Sequence, residues 1–217
     1  GIDQYSHVLH LGAGVGTVCQ LLVETFGCKA TGVVMLEPLL QHCVYEDERV
    51  EYLHAKMTEP PFEPGTFTHV LIECRCIAHP DLEAVFAAAK QMLAPNGQLI
   101  VNEPVLSSGS SLPKIIGRMV GETRINEVLQ QRTAMEIGIE IATAGFDMIE
   151  SRSEPEVTER LHQKMQQISM MLKMALRFSS FDPYSEEFPF KKKDLLKAFD
   201  EVKTALGDET FAWHSWR

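Results

Sequence analysis

Long apolar runs are missing from this chain of 217 residues. No aliphatic stretch approaches the roughly 20 residues that a bilayer-spanning helix needs. No charged leader precedes an apolar segment with a small-residue cleavage site. The expectation is a chain with no membrane span and no secretion signal. Basic residues are scarce as well: 20 stand against 30 acidic ones, and the net charge of -10 repels a phosphate backbone. A nucleic-acid partner is not expected. Cysteines are few and odd in number: Cys19, Cys28, Cys43, Cys74 and Cys76. They fall inside apolar helix-like or strand-like segments instead of loops, which speaks against a disulfide framework and for a reducing, cytoplasmic setting. No internal repeat or low-complexity tract is visible. What is there is an ordinary globular mixture, 45% hydrophobic and 23% charged, long enough to bury one core.

The first two thirds alternate short β-branched or aliphatic runs with helical patterns, as a parallel sheet covered by helices requires. Strands are predicted at His7–Leu11, Thr31–Leu36, Val50–Ala55, Thr68–Glu73, Gln98–Asn102 and Phe146–Ser151. Helices are predicted at Thr17–Phe26, Pro38–Tyr45, Asp81–Leu93 and Arg124–Ala144, with a turn at Pro95-Asn96-Gly97. Nearly all of the acidic excess lies before Pro155, where the pattern changes. Val157, Leu161, Met165, Ile168, Leu172 and Ala175 then recur every three or four residues, along one stripe of a long amphipathic helix. A second helix over Lys191–Leu206 and a last strand over Thr210–Trp216 complete the reading. The fold class is α/β: a Rossmann-like, doubly wound, mostly parallel seven-stranded sheet. Residues 1–217 form a single domain, with 155–206 as a helical insertion before the last strand.

The segment His10-Leu11-Gly12-Ala13-Gly14-Val15-Gly16-Thr17 directly follows a strand and opens a helix. Glycines there permit a tight turn and bring a ligand close to the outward-pointing amides of the helix N-terminus. A dinucleotide fingerprint needs Gly or Ala where Thr17 stands, so a nicotinamide cofactor loses ground.

Val8 to Gly16 resembles the first motif of the class I S-adenosylmethionine-dependent methyltransferases. Pro60 to Thr68 resembles the segment before their fourth strand, and Ala78-His79-Pro80-Asp81 with Met92 to Gly97 their next helix and turn. The stretch from Thr158 to Glu209 is similar to the helical insertion of small-molecule enzymes acting on phosphoethanolamine, dimethylglycine or sterols. The resemblance implies S-adenosylmethionine as cofactor and methyl transfer to a small-molecule acceptor. It places His10, Gly12, Gly14 and Gly16 at the cofactor.

Three positions depart from the family pattern, each where a carboxylate is usual: His10 in the first motif, Val34 at the end of the second strand, and Ala55-Lys56 after the third. Val34 cannot accept hydrogen bonds from ribose hydroxyls. Glu37 can, if the second strand runs three residues further; otherwise its carboxylate serves the next helix N-terminus. Met57 either covers an adenine face or fills the core. Arg75 replaces the carboxylate that such relatives use for a cationic amine, and its planar fork suits an acceptor bearing a carboxylate or phosphate. His79 is the candidate general base, or a helix-start histidine without chemistry. Glu103, at the end of the fifth strand, is a candidate pocket carboxylate. Cys74, Cys76 and His79 fall short of a closed tetrahedral metal site, so no metal is expected. Loss of the three acids leaves two alternatives: a degenerate fold serving as a binding or regulatory partner, and a non-methylating isomerase or cyclase using the same pocket. Only six residues precede the first strand, where relatives carry N-terminal helices. A trimmed chain, or one completed in a homodimer or by a partner chain, is the expectation.

Overall fold

The computed structural model describes residues 1–43, 47–76, 79–107, 132–178, 192–208 and 210–217. Its strands are β1 (His7–Leu11), β2 (Lys29–Val34), β3 (Val50–His54), β4 (Phe67–Glu73), β5 (Leu93–Leu106), β6 (Ser151–Ser153) and β7 (Phe211–Trp216). They form one sheet in the order β3-β2-β1-β4-β5-β7-β6. Only β7 runs antiparallel to its neighbours. The helices are α1 (Thr17–Phe26), α2 (Leu82–Met92), α3 (Ala134–Thr143), α4 (Pro155–Phe178) and α5 (Lys192–Gly207). A short 3-10 helix spans Glu37–His42.

β1 and β4 lie in the middle of the sheet, covered on both faces, which is why they read as continuous apolar runs. Val8, Leu9, Leu11, Val70 and Ile72 have no exposed surface. The main core joins Leu9, Leu11, Val70 and Ile72 to Phe86, Val85 and Ala89 of α2 and to Ile137 and Ile141 of α3, while Val8 packs in a separate cluster with Leu22 of α1. Leu106, at the C-terminal end of β5, packs instead with Leu161 and Met165 of α4 and Val202 and Ala205 of α5. The helical pair therefore sits at the end of the sheet where β1 and β4 also finish.

Several boundaries differ from the sequence reading. β2 ends at Val34, where its ladder to β3 closes on Val34↔His54, so it does not extend towards Glu37. The helix predicted from Pro38 is the 3-10 turn, and its expected end at Tyr45 lies outside the described residues. The turn at Pro95-Asn96-Gly97 is a bulge inside β5: Leu93 pairs with Phe67, the register shifts, and Gln98 pairs with His69. β5 continues to Leu106 because β7 supplies a partner as far as that residue. β6 is Ser151–Ser153 and not Phe146–Ser151, because β7 offers a partner from Ser151 onward, while Phe146 packs against the main core. The long helix predicted from Arg124 begins only at Ala134 in its described part. Thr133 and Glu136 form a reciprocal capping box there, ending the helix on its N-terminal side; residues 124–131 lie outside the described residues.

Thr133→Ala removes the side-chain acceptor for the Glu136 amide, and its expected cost is about 1 kcal/mol of stability. A urea denaturation series comparing midpoints at unchanged slope measures it.

Candidate active site

The glycine loop bridges β1 and α1 at the C-terminal end of the sheet. Gly12 and Gly16 hold φ of +83° and +85°, a conformation that side-chain-bearing residues rarely adopt. The amides of Gly12 and Ala13 both bond to Val33 O, at 3.0 and 2.8 Å, which ties the loop to the end of β2. Tyr52 of β3 lies over Gly16 and Gly32, where an added Cβ would come within 2.5 and 2.7 Å of its ring. Its hydroxyl donates to Gly16 O at 2.9 Å. Helix α1 leaves this loop with no side-chain cap and no acidic residue in its first turn.

His10 is 3% exposed beneath the loop. Its Nδ1 lies 3.8 Å from Cys19 Sγ, and its Nε2 has no hydrogen-bond partner among the described residues. Burial, helped by the positive charge of Arg75, pulls the ring pKa down to about 4, so the imidazole is neutral near pH 7. Burial also pushes the Cys19 thiol up to about 12, which keeps it protonated.

The β4–α2 turn supplies the other side of the site. Cys74 turns the chain with a positive φ of 54°, its amide bonded to Asn102 O at 3.0 Å. Glu103 is fully buried, and its Oε1 accepts the amides of Arg75 at 2.6 Å and Cys76 at 2.9 Å. Expected as a pocket carboxylate, Glu103 is thus occupied with backbone. Arg132 holds the same turn by its carbonyls, donating to Cys76 O, to His79 O at 2.9 Å and to Pro80 O at 3.4 Å. Burial first, and then the charge of Glu103, raises the Cys76 thiol well above its ordinary pKa.

From this turn Arg75 reaches back over the glycine loop, its Nε donating to Gly12 O at 2.9 Å. A Cβ on Gly12 would sit 2.6 Å from Arg75 Cγ, and one on Gly14 would sit 3.3 Å from Nη2. His79 stands one helical turn further along, its amide bonded to Arg75 O at 2.9 Å. Its half-buried ring accepts the Asp81 amide on Nδ1 at 3.2 Å, which leaves the proton on Nε2. The structure thus brings His10, Gly12, Gly14, Gly16, Arg75, Glu103 and His79 to one end of the sheet. Glu37 is exposed on the 3-10 helix, three residues past β2. Met57 is 1% exposed in the main core, the packing alternative for that residue. Among the described residues no group of His, Cys, Asp and Glu could hold a metal ion.

Sequence reasoning missed Tyr52 and Arg132. Tyr52 was detectable as a large side chain directly across from Gly32 in the β2–β3 register. Arg132 carried no signal beyond the Thr133-x-x-Glu136 cap that follows it. A separate cavity of about 620 Å³, walled by Leu93, Leu99, Phe146, Ile149 and Trp216, lies at the opposite end of the sheet from the glycine loop.

The low pKa of His10 has a definite sign in stability. Above about pH 6.5 the ring is neutral whether the chain is folded or unfolded; below it the unfolded chain takes up a proton that the folded one refuses until about pH 4. Stability therefore falls as pH drops from 6.5 to 4, by up to about 1.4 kcal/mol per pH unit from this residue. His10→Leu flattens that slope in urea unfolding across the window.

Residues 8–97 match a family model described as a methyltransferase domain. A sarcosine/dimethylglycine N-methyltransferase of Halorhodospira halochloris is 24% identical over 147 residues, covering 64% of this chain and 53% of that protein. The chain thus spans about half the length of that curated relative. The phosphoethanolamine N-methyltransferase 2 of Haemonchus contortus, solved with phosphomonomethylethanolamine and S-adenosylhomocysteine, superposes with a TM-score of 0.74 at 19% identity. That match covers 100% of this chain and 49% of the other. The cyclase SpnF superposes with a TM-score of 0.75 at 16% identity, over 99% of this chain and 76% of its own. By motif, strand order and these matches, residues 8–97 resemble a methyltransferase domain, and the chain around them has the Rossmann-like fold of the solved structures it superposes on.

Proposed function

We propose that the chain transfers a methyl group from S-adenosylmethionine to a small-molecule acceptor. The observation that carries this reading is the glycine loop, bound to β2 and opening an uncapped α1 inside a matched methyltransferase domain. The residues present suit the cofactor at its amino-acid end. Arg75 packs directly on Gly12, where a Cβ would come within 2.6 Å of its Cγ, and so sets a cation on the loop, while a neutral His10 below keeps one ring nitrogen without a partner among the described residues. Gly12, Gly14 and Gly16 hold that end; β2 stops short of Glu37, so its carboxylate, the first after that strand, meets the ribose hydroxyls from the start of the 3-10 helix and not from an extended strand end. Met57 stays in the core. The bound cofactor supplies an activated methyl on a sulfonium.

The chain's own part is to hold the acceptor in line, exclude water and manage one proton. α4 and α5 pack on Leu106 at the same end of the sheet and serve as the lid. His79 faces the acceptor. With Nδ1 committed to the Asp81 amide, its Nε2–H donates to the acceptor and orients it; proton removal by the ring requires releasing that amide. Arg75, expected to select an anionic acceptor, is turned onto the glycine loop, so the reading asks only for a small molecule. Among the described residues no helix is long and apolar enough to cross a membrane. Together with five free cysteines, this supports a cytoplasmic setting.

One observation favours a second reading. None of the three usual acid positions carries an acid, and the cyclase SpnF shares the fold. A tightly bound cofactor with no methyl transfer to any amine, thiol, phenol or carboxylate tested would select that reading.

Calorimetric titration with S-adenosylhomocysteine is expected to show micromolar binding, weakened about tenfold by Glu37→Ala, as loss of a hydrogen bond to a charged group predicts. No heat at millimolar ligand would sink the assignment. In a methylation assay His79→Gln, which keeps a donor, should retain most of the turnover that His79→Ala loses, with a flat pH profile. Equal loss in both variants makes the ring a base instead.

A further inference from the structure

Arg75 is a half-buried cation in an unusual place. Its Nε bond to Gly12 O and its contacts over Gly12 and Gly14 bring the guanidinium to the loop from which α1 starts. A helix N-terminus carries the equivalent of about half a positive charge. A guanidinium beside it is repelled unless an anion lies between them. The usual compensation is absent: α1 has no acidic residue in its first turn and no side-chain cap. Among the described residues no carboxylate lies within ion-pair distance of the Arg75 guanidinium. The nearest buried carboxylate, Glu103, takes the Arg75 backbone amide at 2.6 Å and so fixes where the side chain starts. Cys74, at a φ of 54°, redirects the chain just before it. The side chain is therefore aimed from a fixed root, tethered at Nε, and left with both terminal amino groups uncommitted among the described residues. Those two groups are the fork that binds a carboxylate through parallel hydrogen bonds.

We propose that Arg75 anchors the α-carboxylate of the cofactor, closing with the α1 amides around that anion, and so makes this chain selective for S-adenosyl ligands that carry an amino-acid carboxylate. The proposal rests on the methyltransferase reading above. It moves Arg75 from the acceptor to the cofactor, and it assigns the charge of this site to a residue of the β4–α2 turn instead of the glycine motif. Recognition of cofactor and order in the turn become one event: the anion neutralises two positive ends and holds the side chain down. His10 gains from the same arrangement, because it stays neutral below a site that already holds excess positive charge.

The test is a binding matrix by calorimetry: S-adenosylhomocysteine, which has the carboxylate, and 5′-methylthioadenosine, which lacks the whole amino-acid end, each against wild type, Arg75→Met and Arg75→Lys. The expected result is that Arg75→Met loses about 30-fold in affinity for S-adenosylhomocysteine, the size of a lost charge-assisted pair, while methylthioadenosine binds as before. Arg75→Lys falls between, since a point charge replaces the fork. Retention of S-adenosylhomocysteine affinity in Arg75→Met overturns the proposal and leaves the methyltransferase reading standing. An equal fall for both ligands also overturns it, since that would make Arg75 a general support of the loop. Failure of wild type to bind either ligand overturns the cofactor reading itself.

Discussion

The carboxyl group of Glu103 is taken wholly out of water, and this end of the sheet hangs on where its oxygens go. Burial of so polar a group is tolerated only with hydrogen-bonding partners, and here its Oε1 takes two consecutive backbone amides, those of Arg75 and Cys76. Those amides belong to a turn that has just left β4 through a positive-φ residue and has no ladder to satisfy them. Arg132 takes the carbonyls of the same turn from the other side. A stretch of chain between a strand and a helix is thus gripped at donors by an acid and at acceptors by a base. The turn can then present Arg75 and His79 in fixed directions without being a regular element.

The glycine loop is held differently. It owes its position to backbone bonds from Gly12 and Ala13 to β2 and to the Tyr52 hydroxyl on Gly16 O. Two half-sites built on different principles meet where Arg75 Nε reaches Gly12 O. One is a backbone cradle requiring small residues; the other is a charged arm requiring a rigid root.

Much of this was legible in the sequence, and the exceptions have causes. The strands β1 and β4, helix α1 and the long α4 stood out because doubly covered strands are continuous apolar runs and an amphipathic helix keeps a 3.6-residue stripe. β5 and β6 were misjudged because their lengths are set by β7, which lies far along the chain, and no local pattern encodes a distant partner. The glycine motif falls where it was read, between the end of β1 and the start of α1. Side-chain duties were less readable: Glu103 reads as a strand-end pocket acid, yet β5 runs on to Leu106 and its Oε1 is turned to backbone amides. Met57 has the composition of an adenine cover and the surroundings of a core residue. Arg75 was recognised as the odd charge of the site, but its sequence neighbours could not tell that it would fold back over Gly12.

The helical pair α4–α5 enters and leaves the sheet between two strands that already pair with each other. Ser153 lies opposite His214, the Glu154 amide bonds to Trp213 O, and the Trp213 amide bonds to Thr158 Oγ1 in the first turn of α4. Both roots of the insertion are therefore stitched together, within the first turn of α4 on one side and shortly after the end of α5 on the other. What lies beyond that stitch is, for the sheet, a closed loop whose length costs little entropy to change. Such a construction lets the covering layer lengthen, shorten or be exchanged between lineages while the glycine half keeps its geometry. Diversity of ligands around a constant loop needs that kind of separable seam.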